Sequence, residues 1–167
     1  MVASSNIVTD KPLENLPKQI KYDPELLTFA DLKRTNGANA VQTLKLLETC
    51  ITAWPFDLKF EKGAAKRLQL EDSGLLINTI LQGIGEDITE AVKGVVVDFK
   101  SKGWTLETLE KLGELDVSGD YQGMTDMFRE VCTWAGGSPS DPMNCIQGGA
   151  AYKAIMDKWN RIVSGKN

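Results

Sequence analysis

The stretch Thr28–Leu58, TFADLKRTNGANAVQTLKLLETCITAWPFDL, carries a capped helical turn, a glycine-containing break, a long apolar-faced segment and a Trp-Pro stop. Val41, Leu44, Leu47, Ile51 and Trp54 recur at spacings of three and four, the period that lines side chains along one side of a helix. The spacing predicts a principal helix over Asn39–Ala53 with that side buried. Ahead of it, Thr28 and Asp31 have the spacing of a capping box, which opens a short helix to about Thr35 before Asn36-Gly37 breaks it. Pro55 ends the principal helix because it disfavours helical geometry at Trp54. Trp54, Phe56, Leu58 and Phe60 then alternate with other residues as in an extended piece. A lone strand has no partner, so this is read as a connector with its aromatics tucked under the helices.

Further helices of the same kind follow. KGAAKRLQL over Lys62–Leu70 reads as a short helix with Ala65 and Leu68 inward. Asp72 or Ser73 caps the next, about Gly74–Gly83, in which Leu75, Leu76, Ile77, Ile80, Leu81 and Ile84 leave little polar surface. A helix apolar nearly all round is central or oligomeric. Gly83-Ile-Gly85 closes it, and Glu86-Asp87 open an amphipathic helix with Ile88, Ala91, Val92, Val95, Val96 and Phe99 on one side, ending by Gly103. Val95-Val96-Val97 could pass for a strand, but the flanking period argues for helix. Thr105 caps Leu106–Leu112, Asp116–Gly119 is a turn, and Tyr121–Ala135 is amphipathic through Met124, Met127, Phe128, Val131 and Cys132. Gly136-Gly137 stop it, Ser138–Pro142 (SPSDP) is the expected hinge, and Gly149–Val163 is the last helix, burying Ala151 or Tyr152, Ile155, Trp159 and Ile162. The doublets Gly136-Gly137 and Gly148-Gly149 punctuate helices and lack the context of a phosphate loop.

At the other end, Pro12, Pro17 and Pro24 make residues 1–27 an extended arm, with Ile20, Tyr22, Leu26 and Leu27 lying on the body or a partner and the first ten residues dangling. The expectation is an all-α fold: a compact bundle of about six to eight short helices with an extended N-terminal arm. Its divisions are an arm at 1–27, a helical core domain at 28–137, and a hinge with C-terminal helix at 138–167.

The 167 residues, with 42% hydrophobic and 25% charged side chains, suffice for a buried core without staples. The uncharged run Ser73–Gly85 is too short and too polar to span a membrane, and the N-terminus lacks the pattern of a secretory signal, so a cytoplasmic protein is expected. Cys50, Cys132 and Cys145 are odd in number and widely spaced, which indicates neither a disulfide framework nor a zinc site. Cys50 and Cys132 fall in predicted helices as small buried groups, and Cys145, near glycine and proline, is expected to be more exposed.

Histidine is absent. That removes Ser-His-Asp and Cys-His catalysis and the commonest general base near neutral pH. No catalytic, cofactor or metal residues are therefore assigned. Glu110 with Glu114, and Glu86 with Glu90, stand one turn apart, but no acidic motif on a facing helix completes a metal site. Charge is uneven: residues 86–130 hold eleven acids against five bases, and residues 149–167 hold four bases against one acid. Such asymmetry suits a chain that pairs with itself or with charged partners; the plainer reading is a set of solvated helix faces.

Two candidate surfaces follow. Trp54 and Phe56, with Leu76, Ile80 and Ile84 of the apolar helix, would hold helical segments of a protein partner if they do not simply form a core corner. Lys59, Lys62, Lys66 and Arg67, with Lys153, Lys158 and Arg161 near the C-terminus, would meet phosphates, although no nucleic-acid-binding signature accompanies them.

The order T-F-x-D-L, an apolar helix, W-P-F-D, then L-x-L-E-D and a second apolar helix, over Leu27–Gly85, resembles the small helical tail assembly chaperones of long-tailed bacteriophages. The resemblance implies a non-enzymatic protein that coats the tape measure protein in the host cytoplasm and delivers it to tail-tube assembly; separately, the surplus of apolar helix surface predicts a homo-oligomer. Members of that family often occur in a short and a frameshift-extended form. The C-terminal third, with its SPSDP segment, departs from the pattern.

Overall fold

A computed structural model describes residues 16–165; the expected dangling of the first ten residues lies outside them. The described residues form two compact units, one taking residues 16–27 together with Arg34–Gly85, the other taking Thr28–Lys33 together with residues 86–165. The structure is mostly helical, but two small antiparallel sheets correct the all-α expectation.

In the first unit, one helical turn α1 (Leu16–Gln19) leads into β1 (Lys21–Tyr22). After α2 (Phe29–Arg34), helix α3 (Ala40–Leu47) starts on a capping box in which Gln42 N donates to Asn39 Oδ1 at 2.9 Å and Asn39 N donates to Gln42 Oε1 at 3.1 Å. The predicted helix to Ala53 ends early. Glu48–Cys50 tightens into a 3-10 turn, and β2 (Ile51–Ala53) pairs with β1, Lys21 opposite Ala53 and Tyr22 opposite Ile51. The arm supplies β2 with its partner, while Trp54–Phe60 forms no strand: extended backbone before Pro24 pairs with the β-branched Ile51-Thr52, and Asp23 N donates to Cys50 O at 2.8 Å. Leu44 and Leu47 are buried as expected, but Val41 is exposed.

The predicted helix at Lys62–Leu70 is only a 3-10 turn, Ala65–Arg67, although Ala64, Ala65 and Leu68 are buried. Helix α4 (Leu70–Val92) then runs unbroken through Gly83 and Gly85, where a stop was expected. Gly83 has a different task. A Cβ there would lie 1.7 Å from Tyr22 Oη, so the glycine lets β1 approach the helix. Leu76, Ile80 and Ile84 are buried four residues apart while Asn78 and Gln82 are exposed, so the helix is one-sided rather than apolar all round.

The second unit takes the last turns of α4, from Glu86, and α4 ends at Val92, just before Gly94. Val95–Val97 is a strand, β3, and not the continuation of a helix. Three β-branched residues in a row favour extended backbone, and Gly94 removes the helical alternative. Helix α5 (Leu106–Ser118) is longer than predicted, and the expected turn at Asp116 begins only at Gly119, whose φ of 77° caps the helix. Asp120 then caps α6 (Tyr121–Val131) by accepting from Gly123 N at 2.9 Å. Cys132–Trp134, predicted as helix, is β4, paired with β3 in the register Val95 to Trp134, Val96 to Thr133 and Val97 to Cys132. Ala135 N to Gly94 O and Asp98 N to Val131 O extend the ladder at both ends.

The last helix, α7 (Cys145–Ser164), starts four residues earlier than expected because Asn144 caps it, accepting from Gln147 N at 2.9 Å. It belongs to the second unit rather than standing apart beyond residue 137. Ala151, Ala154 and Ile155 join the core with Leu112, Met124 and Phe128, whereas Ile162 is exposed. The SPSDP segment is pinned rather than hinged: Arg129 donates to Pro139 O at 3.3 Å and Ser140 O at 2.5 Å, and Ser140 N donates to Gln147 Oε1 at 3.0 Å.

Helix α2 is fixed in this unit by its first residues. Thr28 and Asp31 form the predicted box, with Asp31 N to Thr28 Oγ1 at 3.0 Å and Thr28 N to Asp31 Oδ2 at 3.2 Å. Phe29 N donates to Met143 O at 2.9 Å, and the Phe29 ring sits edge-on to Phe128 at 5.3 Å and Tyr121 at 6.5 Å. A Cβ on Gly148 would meet three atoms of Phe29 at 2.5 to 2.6 Å, so Gly148 is a packing site inside α7 rather than a helix stop. At Gly149 the nearest atom, also 2.5 Å away, is the methyl end of Ile88, which can rotate.

Gly148→Ala is expected to destabilise the protein by about 1–3 kcal/mol despite alanine's better helix propensity, because neither Phe29 nor the helix backbone can yield. Gly149→Ala is expected to cost much less. Urea unfolding of the two variants checks this, and equal midpoints would contradict the packing assigned to Phe29.

Candidate functional site

The residues proposed from sequence as a partner surface are largely internal. Phe56, Leu76, Ile80 and Ile84 are buried, and Trp54 is half-buried with its indole Nε1 donating to Leu58 O at 2.9 Å. The Trp54 ring meets Phe56 at 5.7 Å and Phe60 at 5.0 Å, both edge-on. This is the core-corner reading of the motif: the proline turn folds three aromatics on one another and leaves little apolar area for a partner.

The predicted cations divide between the units. Lys59, Lys62, Lys66 and Arg67 are exposed in the first, where Arg67 pairs with Glu61 at 3.2 Å. In the second, Lys153 pairs with Asp157 at 3.5 Å, Arg161 is exposed, and Lys158 Nζ donates to Val97 O at 2.5 Å while standing 5.8 Å from the Phe99 ring centroid. Of the seven cations, Lys158 and Arg161 come together at one place.

That place is a groove of about 630 Å3 between β3 and the C-terminal half of α7. The valine run supplies one wall. Backbone groups of Gly94 and Asp98 bond toward β4, so those of Val95 and Val97 turn to the opposite edge, where Lys158 takes the Val97 carbonyl. Val97 points into the core and is buried, so Val96 points out, 66% exposed. Ala154, Lys158, Arg161 and Ile162 line the other wall, since positions three, four and seven residues apart share a helix face. Val92, Lys93 and Asp157 complete the lining. Beside it, hydrogen bonds from the Ser101 hydroxyl, then from Ser101 N, hold the Asp98 carboxyl below the usual carboxylate range, with Lys158 and Lys102 contributing. The groove therefore has apolar walls and a rim of cations. Chemically, it suits an amphipathic segment bearing carboxylates.

The chain matches no protein-family model, no curated protein and no solved structure. Among the described residues, no group of three or more metal-ligating side chains converges, and no helix is long and apolar enough to cross a membrane.

A second polar cluster lies between α2, α5 and α7. Lys33 Nζ meets Asp116 Oδ1 at 2.9 Å, Tyr152 Oη donates to Asp116 Oδ2 at 3.2 Å, and Lys33 lies 4.9 Å from the Tyr152 ring centroid. Burial, then the Asp116 charge and the hydrogen bond to it, raise the Tyr152 phenol above its ordinary value. The three groups tie three helices together. Sequence reading missed them because the partners are 83 and 36 residues apart. Lys93 and Val96 do not stand out either, because the period flanking Val95–Val97 predicts a helix with Val96 facing inward.

All three cysteines are buried, including Cys145, which was expected to be exposed. It occupies the first turn of α7 instead of a loop. Burial pushes the Cys132 thiol up to about 12.

Two outcomes follow. In the native protein at pH near 8.5, where a free thiol is half ionised, Cys132 stays protonated and should label slowly with a thiol reagent; all three cysteines should label once urea unfolds the chain. Rapid native labelling of Cys132 by mass spectrometry would be inconsistent with this packing. For Tyr152, a raised folded pKa gives a stability contribution complete below the unfolded value of about 10 and lost as pH rises through the folded value. Tyr152→Phe should flatten the decline of stability above pH ~10; an unchanged alkaline limb would contradict the assignment.

Proposed function

We propose that this is a non-enzymatic protein-binding subunit that holds helical segments of a partner protein, in the manner of a phage tail assembly chaperone. In that setting the partner is the tape measure or another tail protein, met in the host cytoplasm during virion morphogenesis. The observation that carries the reading is the β3–α7 groove, with exposed Val96 and Ile162 on its walls and Lys158 and Arg161 on its rim. Apolar walls supply affinity and the cations supply orientation and rate of encounter, the arrangement that receives one face of an amphipathic helix. The contact is thus assigned to the second unit and not to Trp54, Phe56 or the buried face of α4.

The resemblance over Leu27–Gly85 supports the phage setting, and the absence of histidine supports a non-catalytic role. A second reading, association with nucleic acid, draws on exposed Lys59, Lys62 and Lys66. It has less support from the groove, whose walls are aliphatic rather than aromatic and whose lining includes the carboxylate of Asp157.

Calorimetric titration with an acidic amphipathic helical peptide is expected to show saturable binding that weakens as salt rises. Arg161→Glu combined with Ile162→Asp should abolish it with the fold intact. Equal binding of a basic peptide of the same apolar pattern, or binding untouched by the double substitution, would defeat the groove assignment. A low-salt gel shift with duplex and single-stranded DNA decides the second reading: retention of mobility removes it.

A further inference from the structure

The second unit has another surface that its own packing leaves unused. Helix α5 turns Leu109, Leu112 and Leu115 toward the core, yet exposes Leu106 at 66% and Val117 at 92%. With Glu110 and Gly113 between them, Leu106 and Val117 stand at steps of four, three and four, a single line along the helix. Glu107 and Glu114 are exposed and run beside that line, with exposed Lys111 next to them, so three carboxylates face one cation. The result is an acidic stripe about 16 Å long with an apolar anchor at each end.

This stripe is the complement of the groove described above. The groove offers exposed Val96 and Ile162 to apolar anchors and Lys158 and Arg161 to carboxylates. The same opposition runs through the sequence, where residues 86–130 carry six more acids than bases and residues 149–167 carry three more bases than acids. A helix cannot serve its own groove here, because Leu112 anchors α5 in the core of the unit whose surface also holds the groove.

We propose that the chain associates with itself by seating helix α5 of one copy in the β3–α7 groove of another. This rests on the reading of the groove as a helix-binding surface and names its first occupant. The two surfaces share no residue, so a chain that gives its helix still has a groove to fill, and the contact is head-to-tail. A partner segment of the same acidic amphipathic kind would displace α5, which keeps the apolar walls covered until cargo arrives.

Sedimentation velocity of the full chain over a wide concentration range at low salt tests this. The wild type should gain mass with concentration and lose it as salt screens the charges. Glu110→Arg with Glu114→Arg, and separately Arg161→Glu with Ile162→Asp, should each weaken association about tenfold or more, with circular dichroism unchanged. An equal mixture of the two variants should associate again, since one retains a native helix and the other a native groove. A wild type that stays monomeric throughout overturns the proposal, as does association that neither pair of substitutions weakens, or a mixture of folded variants that stays monomeric. If the monomeric wild type still binds the acidic helical peptide, self-association fails while the protein-binding function stands; if it binds neither, both fail.

Discussion

The second unit depends on the closeness of Phe29 to Gly148. The chain leaves the first unit at Leu27, gives Thr28–Lys33 to the second and returns at Arg34. Such a short insertion can hold its place only through large, well-packed side chains, and Phe29 is the one fully buried residue of α2. Burying a phenylalanine contributes about 1.5–3 kcal/mol, and contact at this distance needs a helix with no Cβ at the point of approach. Gly148 supplies it. The Met143 carbonyl, the Thr28–Asn144 bridge and the Lys33–Asp116 pair then fix the direction of the insert.

From that constraint the groove follows. Phe29 orders the start of α7, which in turn runs its later half beside β3, so Lys158 meets the Val97 carbonyl and Arg161 and Ile162 line the groove. A strand at residues 95–97 is needed for this, since its alternation buries Val97 and exposes Val96. A helical turn at those residues would place the valines in a different relation to α7. The groove is therefore a product of the β3–β4 pairing as much as of the helix.

Surface chemistry is distributed on the same frame. The acids of α5 and the bases of α7 belong to one unit, and Leu112, Phe128 and Ile155 lie together in its core. Ion pairs such as Lys93–Glu90 and Lys153–Asp157 are exposed and within a single turn, where they add little to stability. Their weight falls on which partners approach and how fast.

Much of the local structure was legible in the sequence. The Thr28–Asp31 box, the capping of α5 at Thr105, the amphipathic face of α6 and the aromatic corner at Trp54 all depend on residues within a few positions of one another. Local patterns also gave the three-to-four spacing that buries Leu44 and Leu47. What they could not give was the fate of Ile51–Ala53, Val95–Val97 and Cys132–Trp134. A strand exists only when another backbone is there to pair with it, and Lys21–Tyr22 and the segment after α6 come from far along the chain. The glycines divide in the same way. Gly119 and Gly165 end helices through their own positive φ, which sequence can suggest, whereas Gly83 and Gly148 are required by a tyrosine and a phenylalanine that only the folded chain brings to them.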